Sequence, residues 1–279
     1  MRRIKAARIT ETVSRLCMET NYRLPDDIRG RIEKARDQED WPGACEILDR
    51  IKENYGIASA QSLPMCQDTG LVCVFLEVGQ DVHVEGSIKD AITQGVREGY
   101  QKGYLRKSVV ADPIHRTNTG DNTPPMIYYD LVPGDRLKIT VAPKGFGSEN
   151  MSRLVMLKPA DGLAGVKDFI LETVEIAGPN PCPPIVIGVG LGGTFDKCAY
   201  LAKKALMRDL NVRNADPFYA ALEEEMLEKV NALGIGPQGL GGRTTALAVN
   251  FEVLPTHIAG LPLAVNINCH VTRHQTEVL

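Results

Sequence analysis

The sequence predicts a mixed α/β fold with a helical N-terminal layer packed on mixed β-sheets. Three observations carry that prediction. Through about residue 60, apolar positions recur at helical spacing, as at Ile9, Val13 and Leu16. Beyond residue 70, strand-like runs such as "LVCVFLEV" and "DRLKITVAP" alternate with amphipathic stretches. Neither a linker nor an internal repeat interrupts this alternation. Residues 1–279 therefore read as one continuous unit, with 1–60 as its helical layer.

Taken in order, "PDDIRGRIEKARDQ" opens on Pro25 and two acids, a helix start, and "WPGACEILDRIKENYGIA" places Pro42 near a first turn. "LVCVFLEV" reads as a strand, "SIKDAITQGVREGYQKGYL" as an amphipathic helix and "DRLKITVAP" as a further strand. Between the last two, "ADPIHRTNTGDNTPPM" is a long polar loop whose apolar flanks favour function over disorder. "GLAGVKDFILETVEIAG" is a helix closed by Gly178. "PNPCPPIVIGVGLGGTFDKCAYLAKKALM" runs loop, buried strand, Gly-rich turn, helix. "DPFYAALEEEMLEKVNALGIG" is a helix from Pro217 to a stop at Gly234, and the remaining chain alternates strand and turn.

A chain of 279 residues with 43% hydrophobic and 24% charged content can bury a sizeable core. A net charge of −3 and 5% aromatics argue against nucleic acid or an anionic membrane surface as partner. The longest apolar runs, such as "PPIVIGVGLGG", are too short and glycine-rich to span a bilayer. The first twenty-odd residues are basic, then amphipathic with Glu11 inside, and lack an apolar signal core; a cytoplasmic location is expected.

Two features invite chemistry. "GVGLGG" at 188–193 lies between a strand and a helix, as a phosphate loop would, but no Walker lysine follows and no second-strand acid is evident. Nucleotide binding is therefore disfavoured, although a helix N-terminus there suits a carboxylate. The seven cysteines have no regular spacing and do not read as a disulfide framework. Cys66, Cys182 and Cys269 stand at strand ends or in loops beside proline or polar residues. Cys17, Cys73 and Cys198 sit in apolar stretches and Cys45 on a helix face. Three exposed thiolates converging on one centre would suit an iron–sulfur cluster with one iron free of protein ligands. Read alone, "CQDTG" fits equally a turn in which Asp68 caps a backbone N–H.

"CQDTG", "RKSVVADPIHRTNTGDNTP", "KGFGSENMS", "NPCPPIVIGVGLGGTFDKCAYLAKKAL", "GIGPQGLGG" and "AVNINCH" together resemble the α subunit, or N-terminal half, of class I iron–sulfur fumarate hydratases. The likeness covers essentially the whole chain. It implies a [4Fe–4S] cluster held by Cys66, Cys182 and Cys269, whose uncoordinated iron acts as a Lewis acid on a dicarboxylate and its hydroxyl. It further implies that Gln67 and Asp68 act beside the cluster, that Arg106 grips a substrate carboxylate, that Gly147 lies in a substrate-contacting loop, and that His257 is catalytic. Asp121 is expected to organise its loop, with Arg116 and Asn118 facing the pocket. His270, Arg273 and His274 are expected to support Cys269 or to meet a neighbouring subunit. The chain stops at Leu279, before the C-terminal domain of single-chain members, so a separate β subunit is expected to supply the base, in an α2β2 assembly. The tartrate dehydratase α subunit, or a hydratase of a methylated fumarate, is the nearest rival. A non-catalytic metal scaffold is the rival of another class. "KGFGSENMS" and "GDNTP" side with fumarate.

Overall fold

In the computed structural model, which describes residues 2–279, a first strand β1 (Arg2–Lys5) leads into helices α1 (Ala6–Tyr22), α2 (Asp26–Gln38) and α3 (Pro42–Gln61). Then follow β2 (Leu71–Gly79), β3 (Val82–Glu85), α4 (Ile88–Lys102), β4 (Met126–Val132), β5 (Leu137–Lys144) and the short α5 (Phe146–Glu149). The remainder comprises β6 (Arg153–Leu157), α6 (Gly162–Ala177), β7 (Ile185–Gly193), α7 (Phe195–Ala205), α8 (Pro217–Ala232), β8 (Ala246–Thr256), β9 (Leu261–Asn268) and β10 (Gln275–Val278). Local chemistry accounts for several of these starts. Asp26 and Asp27 lie in the first turn of α2, Ser87 accepts the Asp90 N–H at 3.2 Å, and Asp216 accepts the Phe218 N–H at 2.9 Å.

The described residues fall into two compact units, with the chain crossing between them more than once. The first takes the residues up to Pro25, Asn54–Phe146 and Arg273–Leu279; the second takes Asp26–Glu53 and Gly147–Thr272. The helical stretch expected over residues 1–60 is divided between the two units. α1 belongs to the first unit, α2 to the second, and α3 contributes to both.

In the first unit β10, β5, β2 and β4 form one sheet in that order, with β2 and β4 parallel and the other pairs antiparallel. Val72, Val74 and Leu76 of β2 and Leu137, Ile139 and Val141 of β5 point every second residue into a core. There they join Ile9, Val13 and Leu16 of α1 and Ile92 and Val96 of α4. β1 pairs in parallel with β3. These two short strands, the β4 edge strand and β6 are elements that periodicity did not reveal.

In the second unit the order is β6, β9, β7, β8, with β7 and β8 parallel and β9 antiparallel to both of its neighbours. Ile185, Ile187, Val189 and Leu191 pack with Phe169, Ile170 and Val174 of α6 and Leu222, Met226 and Val230 of α8. From Gly188 onward the other face of β7 is glycine. A Cβ on Gly188 would stand 2.0 Å from the Ala202 carbonyl oxygen, and one on Gly190 2.0 Å from that of Cys198. "GVGLGG" is thus part of the strand, stripped of side chains so that α7 can lie against it. The expected Gly-rich turn is not there. Glu223 is fully buried, pairs with Arg208 and accepts the Phe251 N–H at 2.8 Å. Among the described residues no helix is long and apolar enough to cross a membrane.

Candidate functional site

The turn "CQDTG" in the first unit is built from the backbone outward. Asp68 Oδ1 accepts the Gly70 N–H at 2.9 Å and Oδ2 accepts the Phe146 N–H at 2.9 Å, so both carboxylate oxygens are engaged in holding loops. Gly70 takes φ +82°, and a Cβ there would stand 2.8 Å from the Lys144 nitrogen. The Thr69 hydroxyl donates to the Arg106 carbonyl at 2.9 Å. Asn122 Nδ2 donates to the Gly70 carbonyl at 3.1 Å, while its Oδ1 accepts the Ser108 N–H at 2.7 Å. The buried Tyr100 hydroxyl lies 2.5 Å from the Thr69 carbonyl and 3.0 Å from that of Gly70; burial pushes this phenol upward and keeps it neutral.

This framework leaves Cys66 half-buried, its thiol donating to Gln67 Oε1 at 3.4 Å, with Gln67 and Arg106 exposed. The long loop before β4 is anchored as expected through Asp121, which accepts Arg97 Nε at 2.9 Å and the Thr123 hydroxyl at 2.7 Å. Burial raises this carboxyl, but the bonds from Thr123 and Arg97 outweigh it and hold it at about 2. Arg116 and Asn118 are exposed on the loop, and Asn118 Nδ2 donates to the Lys107 carbonyl at 3.0 Å.

In the second unit, strand register brings two more thiols together. Cys182 precedes the start of β7 and Cys269 follows the end of β9. The two strands are antiparallel, with Val186 opposite Asn268, so both cysteines lie at one end of the sheet. Cys182 is exposed at φ 55°. Its carbonyl accepts the His270 N–H at 3.3 Å and lies 3.0 Å from His270 Nδ1, which is also 3.2 Å from Gln238 Nε2.

Behind the Cys182 turn, Gln238 donates from its backbone N–H (2.8 Å) and from Nε2 (2.9 Å) to the Pro183 carbonyl. Gln238 takes φ 55°, and its turn requires Gly236 and Gly239. A Cβ on the first would stand 2.0 Å from Gly241, and one on the second 2.2 Å from Pro179. Gly147 is exposed beside the same turn, where a Cβ would meet the Asn180 carbonyl at 3.7 Å. Its segment is tied down by Glu149, which pairs with Lys203 and accepts Asn266 Nδ2 at 2.7 Å. Gln238→Ala keeps the backbone bond and loses the side-chain one. It is expected to cost about 1 kcal/mol, read as a shift in the urea midpoint.

His257 is placed elsewhere. It follows β8 in the exposed turn before β9, and Thr256 pairs with Gly193 at the C-terminal end of β7, whereas Cys182 precedes its N-terminal end. The length of β7 separates them, roughly 26 Å for nine residues of strand. Within one chain, His257 does not share a site with Cys182 and Cys269.

The structure also sorts the cysteines. Cys17 and Cys198 are fully buried, and burial pushes both thiols up; Cys73 is buried as well. The Cys45 thiol donates to the Glu39 carbonyl at 3.4 Å. Cys66, Cys182 and Cys269 are the accessible thiols outside helices, which is the donor set an iron–sulfur cluster requires. Cys66 lies in the first unit and the other two in the second. Among the described residues, no three His, Cys, Asp or Glu side chains gather round the position of a single metal ion. Cysteines of a cluster bind separate irons and need not crowd round one point.

Sequence reasoning assigned no role to Tyr100, Asn122 or Gln238. Tyr100 reads as core at four-residue spacing from Val96, and only the glycines flanking Pro237 and Gln238 signal a special turn.

Residues 10–278 match the family model described as fumarate hydratase (Fumerase). The chain is 43% identical over 273 residues to a Methanocaldococcus jannaschii protein whose name, L(+)-tartrate dehydratase subunit alpha, is provisional; the alignment covers 95% of each chain. It is 32% identical over 273 residues to the L(+)-tartrate dehydratase subunit alpha of Escherichia coli (strain K12), covering 96% of this chain and 90% of that one. The counterpart from Shigella sonnei (strain Ss046) matches to the same extent.

Proposed function

Because the chain belongs to the fumarate hydratase (Fumerase) family, we propose that it is the α subunit of a cytoplasmic hydro-lyase that interconverts fumarate and (S)-malate. On this reading the whole chain acts as one catalytic domain, and Cys66, Cys182 and Cys269 hold a [4Fe–4S] cluster. The observation that carries it is the family match over residues 10–278, supported by the position of the exposed Cys182 and of Cys269 at the same end of one sheet. When bound, the cluster supplies an iron without a protein ligand, a Lewis acid for the substrate's carboxylate and hydroxyl oxygens.

The chain's own residues bind and orient. Arg106, exposed beside the Cys66 turn, offers a guanidinium fork to a carboxylate. Gln67 offers an amide next to the ligating thiol, and Gly147 leaves its segment open for a substrate to approach. Asp68 acts from a fixed position, its two oxygens already holding Gly70 and Phe146. The base that removes the carbon-bound proton is assigned to a partner β subunit, in an α2β2 assembly. The relatives' designation as "subunit alpha" supports such a partner. A four-carbon diacid is far too short to link this chain's Cys182 to its His257, so a catalytic His257 has to serve another copy's site.

A second reading is favoured by the relatives' names: L(+)-tartrate as the substrate of the same site. Anaerobic assay of the co-expressed αβ complex decides between them. Turnover of fumarate and (S)-malate is expected; turnover of tartrate alone refutes the substrate assignment. Bound zinc without sulfide would instead support the non-catalytic scaffold.

A further inference from the structure

Three consecutive carbonyls after Cys66 are each held by a donor from elsewhere in the first unit. That of Gly70 accepts from Asn122, that of Thr69 from Tyr100, and that of Asp68 from Arg273 Nη2 at 2.5 Å. Surface turns ordinarily leave such carbonyls to water. Here the third donor is a guanidinium only 4% exposed, an expensive group to bury for one bond to a neutral carbonyl. Its Nε–H is buried too and meets no acceptor. Arg273 also follows Cys269 by four positions, so one short segment carries both the third thiol and the clamp on the turn of the first.

We propose that Arg273 is a positioning residue for the site on the Cys66–Gly70 turn: by fixing the Asp68 carbonyl it sets the direction in which the Cys66 thiol and the Gln67 amide leave the backbone. The inference rests on the functional reading above. A turn held at three consecutive carbonyls resists reorienting about those peptide planes, which keeps ligand and substrate contacts in one arrangement. A lysine would keep the buried charge and one donor; a methionine would keep only the length.

The test uses the full-length αβ complex with Arg273→Met and Arg273→Lys, each checked for an unchanged far-UV spectrum. In R273M, peptides spanning residues 66–70 are expected to exchange amide hydrogens about tenfold faster, with β7 peptides unchanged. Iron and sulfide per chain, and kcat, are expected to fall about tenfold or more, with KM moving much less, and R273K to recover part of each loss. Wild-type exchange, iron content and kcat in R273M overturn the proposal while leaving the hydro-lyase reading intact. If R273M does not fold, Arg273→Gln, which removes the charge and shortens the side chain, carries the test, and wild-type values there overturn the proposal equally. A wild-type complex that holds no iron and sulfide and turns over no diacid overturns the functional reading, and the proposal with it.

Discussion

Cys182→Ser is expected to leave the fold intact, strip the chain of iron and sulfide, and lower kcat by about a hundredfold or more. The residue is exposed at φ 55°, outside any helix or strand, and its carbonyl accepts the His270 N–H. Serine preserves that backbone contact. What it removes is a soft anionic ligand, since a hydroxyl does not ionise near neutral pH as a thiol does. Cys66→Ser and Cys269→Ser are expected to behave alike. Cys45→Ser, whose thiol only donates to the Glu39 carbonyl, is expected to retain iron and turnover within about twofold. Anaerobic iron and sulfide analysis beside circular dichroism checks the set. A Cys182→Ser chain that kept a full complement of both would falsify the ligand assignment.

The largest effect on stability is expected at Gly190. A methyl group there would stand 2.0 Å from the Cys198 carbonyl oxygen and 2.5 Å from the Ala202 nitrogen, both of them backbone atoms of α7. Backbone cannot rotate aside, so α7 must lift off the sheet along with Leu201 and Ala202, which are buried. Gly190→Ala is expected to cost about 4 kcal/mol or more, or to yield no soluble protein. Gly188→Ala meets the Ala202 carbonyl at the same 2.0 Å and belongs to the same class. Gly56→Ala is the contrast. It lies in α3 with nothing within 4 Å of the added carbon and should gain about 0.5–1 kcal/mol. Urea melts of the three variants against wild type decide it; a Gly190→Ala midpoint equal to wild type would mean that α7 does not lie on β7 as described.

That glycine stripe also marks where the sequence misled. Flanked by a strand and a helix, "GVGLGG" reads as a loop because glycine is depleted in strands. Yet Gly188, Gly190 and Gly192 alternate with Val189 and Leu191, which is a period of two and thus a strand with one bare face. The long amphipathic helices and the β2 and β5 runs were legible because each carries its own periodicity. The sharing of α1 and α2 between two units was not, because it depends on pairings such as Val141 with Gln275, far apart in the chain. At the site, the flanking residues were enough to separate Cys66, Cys182 and Cys269 from the buried thiols. Arg106 and Gln67 also stand exposed on the Cys66 side. The position of His257 was not readable, since only the β7–β8 register shows which end of the sheet its turn occupies. Nor were the donors that hold the Cys66 turn. Tyr100 and Asn122 act across 31 and 52 positions of chain, where local pattern says nothing.

The return of β10 to the first unit has a consequence for biosynthesis. On the ribosome, the stretches that make up the second unit, Asp26–Glu53 and Gly147–Thr272, are all synthesised before β10. β10 must then pair with β5, and Leu279 exchange backbone hydrogen bonds with Leu137, before the sheet behind Cys66 is whole. The chain that makes up the half with two of the thiols is thus complete before the chain that makes up the half with the remaining one. A cofactor needing all three can be held in full only once β10 has been made and paired.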